Sequence, residues 1–127
     1  MLIWKLKDHD HLFSDSLYSF RSRNGVQQAV RRLMELSDAR SLYTCKIDIS
    51  DYYNSIPVDL MTAMIRERVD DPALCRFFDL FLHQTEVISD GELITEEKGI
   101  MAGTPVSPFL ANLYLADLDE LFSDAMY

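Results

Sequence analysis

The apolar positions of the chain change period several times, and each change predicts an element. HLFSDSLYSF, residues 11–20, mixes aromatics with serine and predicts loop or short extended structure. Beyond Asn24, Val26, Ala29, Val30, Leu33 and Leu36 recur at helical spacing, which predicts a helix over 25–36 with Asn24 as its N-cap. Cys45, Ile47 and Ile49 then alternate with Lys46, Asp48 and Ser50. Period two with isoleucines predicts a strand whose apolar face covers a core and whose other face carries Asp48. Pro57 suits the first turn of a helix through Leu60, Met61, Met64, Ile65 and Val69, and Asp71 with Pro72 starts a second through Leu74, Phe77, Phe78, Phe81 and Leu82. Asp90–Gly91 sits between two short β-type runs and predicts a hairpin. MAGTPVSP, residues 101–108, reads as a loop in which Ser107 and Pro108 cap a last, leucine-rich helix reaching Phe122. This order is α+β and not a regular strand–helix alternation.

At 127 residues the chain has the length of one modest domain with a core. No apolar run approaches the length of a membrane span. MLIWKLKDHDH is broken by charges and is no secretory signal, so a cytoplasmic location is expected. Cys45 and Cys75 stand apart with no metal-type spacing, which favours free thiols over a zinc site.

The net charge of −9 is unevenly placed. Residues 1–46 hold eight Lys/Arg against five Asp/Glu, a balance of +3, and residues 47–127 hold four against sixteen, a balance of −12. Nucleic-acid binding is driven by phosphate neutralisation, so the acidic half by itself argues against it. Either that half is a solvated surface, or the chain is part of something larger whose basic portions lie elsewhere.

Four places could carry chemistry. Asp48, on the polar face of its strand, suits a hard divalent cation, which takes oxygen ligands; an edge aspartate paired with Lys46 or a helix end is the bland alternative. Tyr52 and Tyr53 fill core space, or one of them forms a floor beneath a nucleotide sugar, where the 2′-OH distinguishes RNA from DNA. The glycine loop 99–105 either ends at an ordinary N-cap or lets backbone approach a base pair or phosphate closely. Arg21 and Arg23 lie before a helix, as phosphate contacts or as solvated surface. His9, His11 and His83 have no catalytic spacing, and no P-loop, GxSxG or HExxH pattern occurs.

Taken in order, these segments resemble the fingers and palm of a reverse transcriptase of the bacterial and group II intron type. FRSRNGVQQAV resembles the fingers segment of that family. KIDISDYYNSI, residues 46–56, resembles its first palm motif, an aspartate in an apolar strand with Phe or Tyr five residues on. GIMAGTPVSPFLANLYLADLD, residues 99–119, resembles the family's GIPQGSPLSPLLANLYL segment. The resemblance covers about residues 20–122. It implies a fingers portion at 1–43 and a partial palm, ferredoxin-like in its core, at 44–127. It makes Asp48 the first catalytic metal ligand, with the Ile49 carbonyl on a second ion, both Mg²⁺ or Mn²⁺. Ser50, Asp51 and Tyr52 would line the triphosphate through their backbone, and Tyr53 would select deoxynucleotides. Ala102 and Gly103 would meet the incoming nucleotide. Gly103, Thr104 and Pro105, with Arg21 and Arg23, would meet the template and primer. The implied partners are an RNA template, a DNA or RNA primer and dNTPs, with no membrane.

Two departures matter. Met101–Ala102 stands where the family usually has Pro-Gln, whose glutamine helps to hold the nucleotide. The family's next motif, a tyrosine before paired aspartates, does not occur between Phe122 and Tyr127. The expectation is therefore a truncated palm, inactive alone, belonging to an RNA-directed DNA polymerase. The rival is a non-enzymatic relative used as a binding or scaffolding module, for example in phage defence, which Met101–Ala102 favours. A third option, an RNA-templated RNA polymerase, is opposed by the aromatic Tyr53. A palm without its central hairpin would also expose a strand edge and the apolar face of the 110–122 helix, so self-association as a dimer is expected.

Overall fold

A computed structural model describes residues 2–21, 24–39, 45–89, 91–95 and 99–124. The chain divides into two compact units, one of Met1–Ser50 with Leu115–Tyr127 and one of Asp51–Tyr114. The expected fingers–palm boundary after residue 43 falls in 40–44, outside the described residues.

The central unit starts with a single helical turn, α1, Tyr52–Ser55, followed by α2, Val58–Arg68, and α3, Pro72–Leu82. Asp71 caps α3: its carboxylate accepts from the Ala73 and Leu74 amides at 2.9 and 3.0 Å, and Pro72 occupies the first helical position. Two otherwise orphaned N–H groups are thereby satisfied where proline supplies none. α2 packs against α3 and against a later helix, α4, Ser107–Tyr114. Ile56, Met61, Ile65, Phe78, Leu110 and Leu113 are buried between them. Phe78 stacks on Phe109, with ring centroids 6.0 Å apart, and Arg66 reaches from α2 to Asp79 on α3 at 2.9 Å. The hairpin forms as predicted: β1, Glu86–Ser89, pairs antiparallel with β2, Glu92–Thr95, and Gly91 turns it at φ +85°. Asp90 lies outside the described residues.

The other unit holds an N-terminal helix, α5, Leu2–Lys7, which the sequence pattern did not predict. A 3₁₀ turn, Asp10–Leu12, follows it. The helix expected over 25–36 is present as α6, Val26–Ala39. Its N-cap is Gly25, not Asn24. The Gln28 side chain reaches back to the Gly25 amide at 3.1 Å, while Asn24 donates to the Asp15 carbonyl at 3.4 Å. A glutamine three residues into a helix can satisfy the N-cap amide by this return bond.

Three expectations need correction. Residues 45–49 form no strand, and Ile47 and Ile49 are 73% and 41% exposed. A period-two pattern becomes a strand only where a partner supplies ladder hydrogen bonds, and among the described residues none pairs with this segment. The α+β expectation accordingly meets a mostly helical chain whose described strands are those of one hairpin. The last helix is broken at Leu115 into α4 and α7, Ala116–Asp124. Leu110 and Leu113 are buried, so the exposed apolar face expected over 110–122 shrinks to Leu118, Leu121 and Phe122. Burial also raises the Asp119 carboxyl above its ordinary pKa.

Replacing Asp71 with alanine removes both cap bonds and should cost about 1 kcal/mol in urea unfolding. An unchanged midpoint would show that the cap contributes nothing to stability.

Candidate functional site

The segment that carries Asp48 is exposed from Cys45 to Asp51. Asp48, Ile49 and Ser50 belong to one compact unit and Asp51 onward to the other. Asp51 has φ +50° and ψ +43°, a left-handed conformation costly for a residue with a Cβ. Its carboxylate accepts from Asn54 Nδ2 at 2.7 Å, and its carbonyl accepts from the Ser55 amide at 3.0 Å. These two bonds close the α1 turn.

The turn sends its two tyrosines different ways. Tyr52 donates its hydroxyl to the Ala111 carbonyl in α4 at 2.6 Å, and its ring lies 6.3 Å from that of Tyr114. The Tyr52 side chain is thus engaged in holding the turn to α4. Tyr53 is half-buried, and its carbonyl accepts from the Ile100 amide at 2.9 Å. That bond joins the turn after Asp48 to the glycine loop. It is possible because Gly99, at φ +72°, lies against the backbone of Tyr53 and Asn54. A Cβ at Gly99 would overlap the Asn54 Cα and the Tyr53 carbonyl. Sequence reasoning singled out Gly103 and passed over Gly99, although both occur in the same motif.

The loop after Ile100 is tied from below. Ser107 is buried, and its hydroxyl bonds the Met101 carbonyl and lies 2.5 Å from Thr104 Oγ1. Its amide donates to the Thr104 carbonyl at 3.2 Å. Ser107 therefore closes the loop instead of merely capping α4. Ala102, Gly103 and Pro105 are left exposed at its crest, and Thr104 is half-exposed with its hydroxyl engaged. Gly103 adopts φ +78° with open space where a Cβ would point, so conformation and not crowding favours glycine there.

Beside this junction lies a cleft of about 510 Å³, lined among others by Asn54, Ser55, Asp59, His83, Gln84 and Met101. His83 Nδ1 donates to the Asp79 carbonyl at 2.8 Å, and its Nε2 lies 3.6 Å from the Asp59 carboxylate. Sequence spacing alone gave His83 no neighbour, because Asp59 reaches it only through the packing of α2 on α3.

Arg21 is engaged elsewhere. Its guanidinium makes a bidentate pair with Asp10, at 3.2 and 3.0 Å, and also reaches the Ser14 carbonyl. With 7% of its side chain exposed, it locks the N-terminal loop and does not face a solvated phosphate. Arg23 lies outside the described residues. No group of three or more His, Cys, Asp or Glu side chains gathers among the described residues.

Comparison with known proteins places this architecture. Residues 1–126 match the family model of the reverse transcriptase, described as an RNA-dependent DNA polymerase. The chain belongs to the reverse transcriptase family. Family membership implies a fold of the fingers-and-palm type. Protein YkfC of Escherichia coli (strain K12) is 26% identical over 109 residues, which cover 81% of this chain and 28% of that protein. The reverse transcriptase-family chain thus spans little more than a quarter of that relative's length. Among its described residues no helix is long and apolar enough to cross a membrane.

Gly91 and Gly99 make a matched pair for testing the junction. Alanine at Gly91 meets open space and should cost about 1–2 kcal/mol for its left-handed backbone alone. Alanine at Gly99 carries the same conformational cost and must also displace the backbone of Tyr53 and Asn54. It should unfold at clearly lower denaturant than the Gly91 variant and lose hydrogen-exchange protection at Ile100. Equal losses for the two variants would mean that the close approach is not maintained in solution.

Proposed function

We propose that this chain is the fingers and first palm portion of an RNA-directed DNA polymerase, which adds deoxynucleotides to a primer 3′-OH along an RNA template. The observation that supports this reading best is the Ile100–Tyr53 backbone bond. It holds together the two segments that match the family's nucleotide-handling motifs, which are 46 residues apart counting from Tyr53 to Gly99.

Asp48 would supply a carboxylate and Ile49 a carbonyl, both hard oxygen donors of the kind Mg²⁺ or Mn²⁺ prefers. Two such ions would neutralise charge on the attacking and leaving oxygens in the whole enzyme. One exposed aspartate does not make a two-ion site, and no other carboxylates gather with it among the described residues, so this reading takes the remaining ligands from elsewhere in the enzyme. Ser50, Asp51 and Tyr52 would present backbone groups to the triphosphate, the turn being fixed by the Asp51–Asn54 bond. Tyr53 would lie under the sugar and reject a 2′-OH. Ala102, Gly103, Thr104 and Pro105, raised on the Ser107 knot, would meet the incoming base and the template. Ala102 offers only a methyl group, so any hold on the nucleotide there is through backbone.

The 127-residue chain, assayed with an RNA template, DNA primer, dTTP and Mg²⁺, should show no incorporation above background. The same chain extended with downstream sequence bearing a tyrosine and paired aspartates should incorporate dTTP. In that extended protein Asp48→Asn should abolish synthesis, and Tyr53→Ala should raise ribonucleotide use at least tenfold relative to dNTP. Incorporation by the short chain would refute the incomplete site. Inactivity of every extended form would favour a binding module of the same fold.

A further inference from the structure

The hydroxyl chain beneath the loop crest has a direction. The Met101 carbonyl can only accept, so the Ser107 hydroxyl gives its single proton to that bond. Thr104 Oγ1 lies 2.5 Å from Ser107 Oγ. With its own proton committed, the Ser107 oxygen accepts at this contact and Thr104 donates. The order runs from Thr104 to Ser107 to Met101. Ser107 is 1% exposed, which leaves its hydroxyl no water to turn toward.

Thr104 is the surface end of this chain. It is half-exposed, and its oxygen has given its proton inward and keeps only lone pairs. A free threonine hydroxyl rotates and offers a donor or an acceptor to whatever meets it. The Thr104 hydroxyl is instead a fixed acceptor. It suits an O–H or N–H donor and repels a phosphate oxygen, which only accepts. Gly103 beside it has open space where a side chain would point, so a nucleic-acid backbone can come close.

We propose, resting on the polymerase reading in which this crest meets the template, that Thr104 Oγ1 accepts a hydrogen bond from a ribose 2′-OH of the template strand. Thr104 is then a specificity residue that favours RNA over DNA as template. Base edges also carry donors, but a polymerase copies every sequence, and the 2′-OH is the donor present at every template nucleotide. DNA lacks it, so a DNA template leaves the threonine oxygen facing no donor. Ser107 is a positioning residue: it lies buried and acts by fixing the sense of the Thr104 hydroxyl.

The test reads binding by the extended protein that carries the downstream tyrosine and paired aspartates. Fluorescence anisotropy follows a labelled template–primer hairpin whose template arm is either RNA or DNA of one sequence. Wild type should bind the RNA arm more tightly. Thr104→Val keeps the side-chain shape and removes the oxygen, and should shrink the ratio of the two dissociation constants about fivefold, the size of one neutral hydrogen bond. Thr104→Ser should keep the ratio. Taking a ratio cancels any loss of folded protein common to both hairpins. A single ribonucleotide moved stepwise along a DNA arm should tighten wild-type binding at one position, and Thr104→Val should lose that gain. Equal binding of both hairpins by wild type, an unchanged ratio in Thr104→Val, or an equal loss in Thr104→Ser would overturn the proposal. So would a preference that follows guanine and disappears when hypoxanthine, which lacks the amino group, replaces it. A sugar-dependent ratio in a protein that incorporates no dTTP would refute the polymerase reading alone.

Discussion

The candidate site depends on one backbone contact. The amide of Ile100 donates to the carbonyl of Tyr53, and Gly99 allows the two chains to come close enough for that bond. A side chain at position 99 would have to enter space held by backbone, which cannot turn aside as a flexible side chain can. Everything placed near the junction inherits its position from this contact. The α1 turn, held by Asp51 and Asn54, is docked by it, and the loop knotted by Ser107 starts from it. Met101 and Asn54, brought together there, border the same cleft. Two motifs far apart in sequence thus become one piece of structure without help from a sheet.

The contrast with Asp48 is instructive. The carboxylate that the family resemblance makes catalytic lies in an exposed, irregular segment, while the residues that would handle sugar and base are set in a packed unit. A strand is a property of a pair. Cys45, Ile47 and Ile49 have the right alternation, but the pattern cannot furnish the partner that would fix Asp48 in direction. The junction between Tyr53 and Ile100 is thus set in packed structure, while the segment that carries Asp48 is exposed.

Local signals in the sequence were read well, and non-local ones were not. Asp71–Pro72 and Asp90–Gly91 act through neighbours a few residues away, and both the α3 start and the hairpin appear where they predict. The α6 helix follows from its period, although its cap moved to Gly25 because Gln28 could bond backwards. What stayed hidden required knowledge of distant partners. Arg21 reads as a surface cation until Asp10, eleven residues earlier, is found beside it. Tyr52 and Tyr53 look alike in sequence, and only the position of α4 makes one an anchor for the Ala111 carbonyl. Gly99 and Gly103 both occur in a glycine loop, and only the approach of Asn54 and Tyr53 distinguishes a glycine required by crowding from one required by conformation.

The same distinction explains why the apolar surface is split as it is. Helices α2, α3 and α4 bury Met61, Ile65, Phe78, Leu110 and Leu113 against one another, while Leu60, Phe77 and Leu80 of the same helices are exposed. In the other unit Leu6 and Ala116 are buried, while Val26, Val30 and Leu33 of α6 and Leu118, Leu121 and Phe122 of α7 are exposed. Periodicity marks a face that can pack, and burial follows only where another surface meets it.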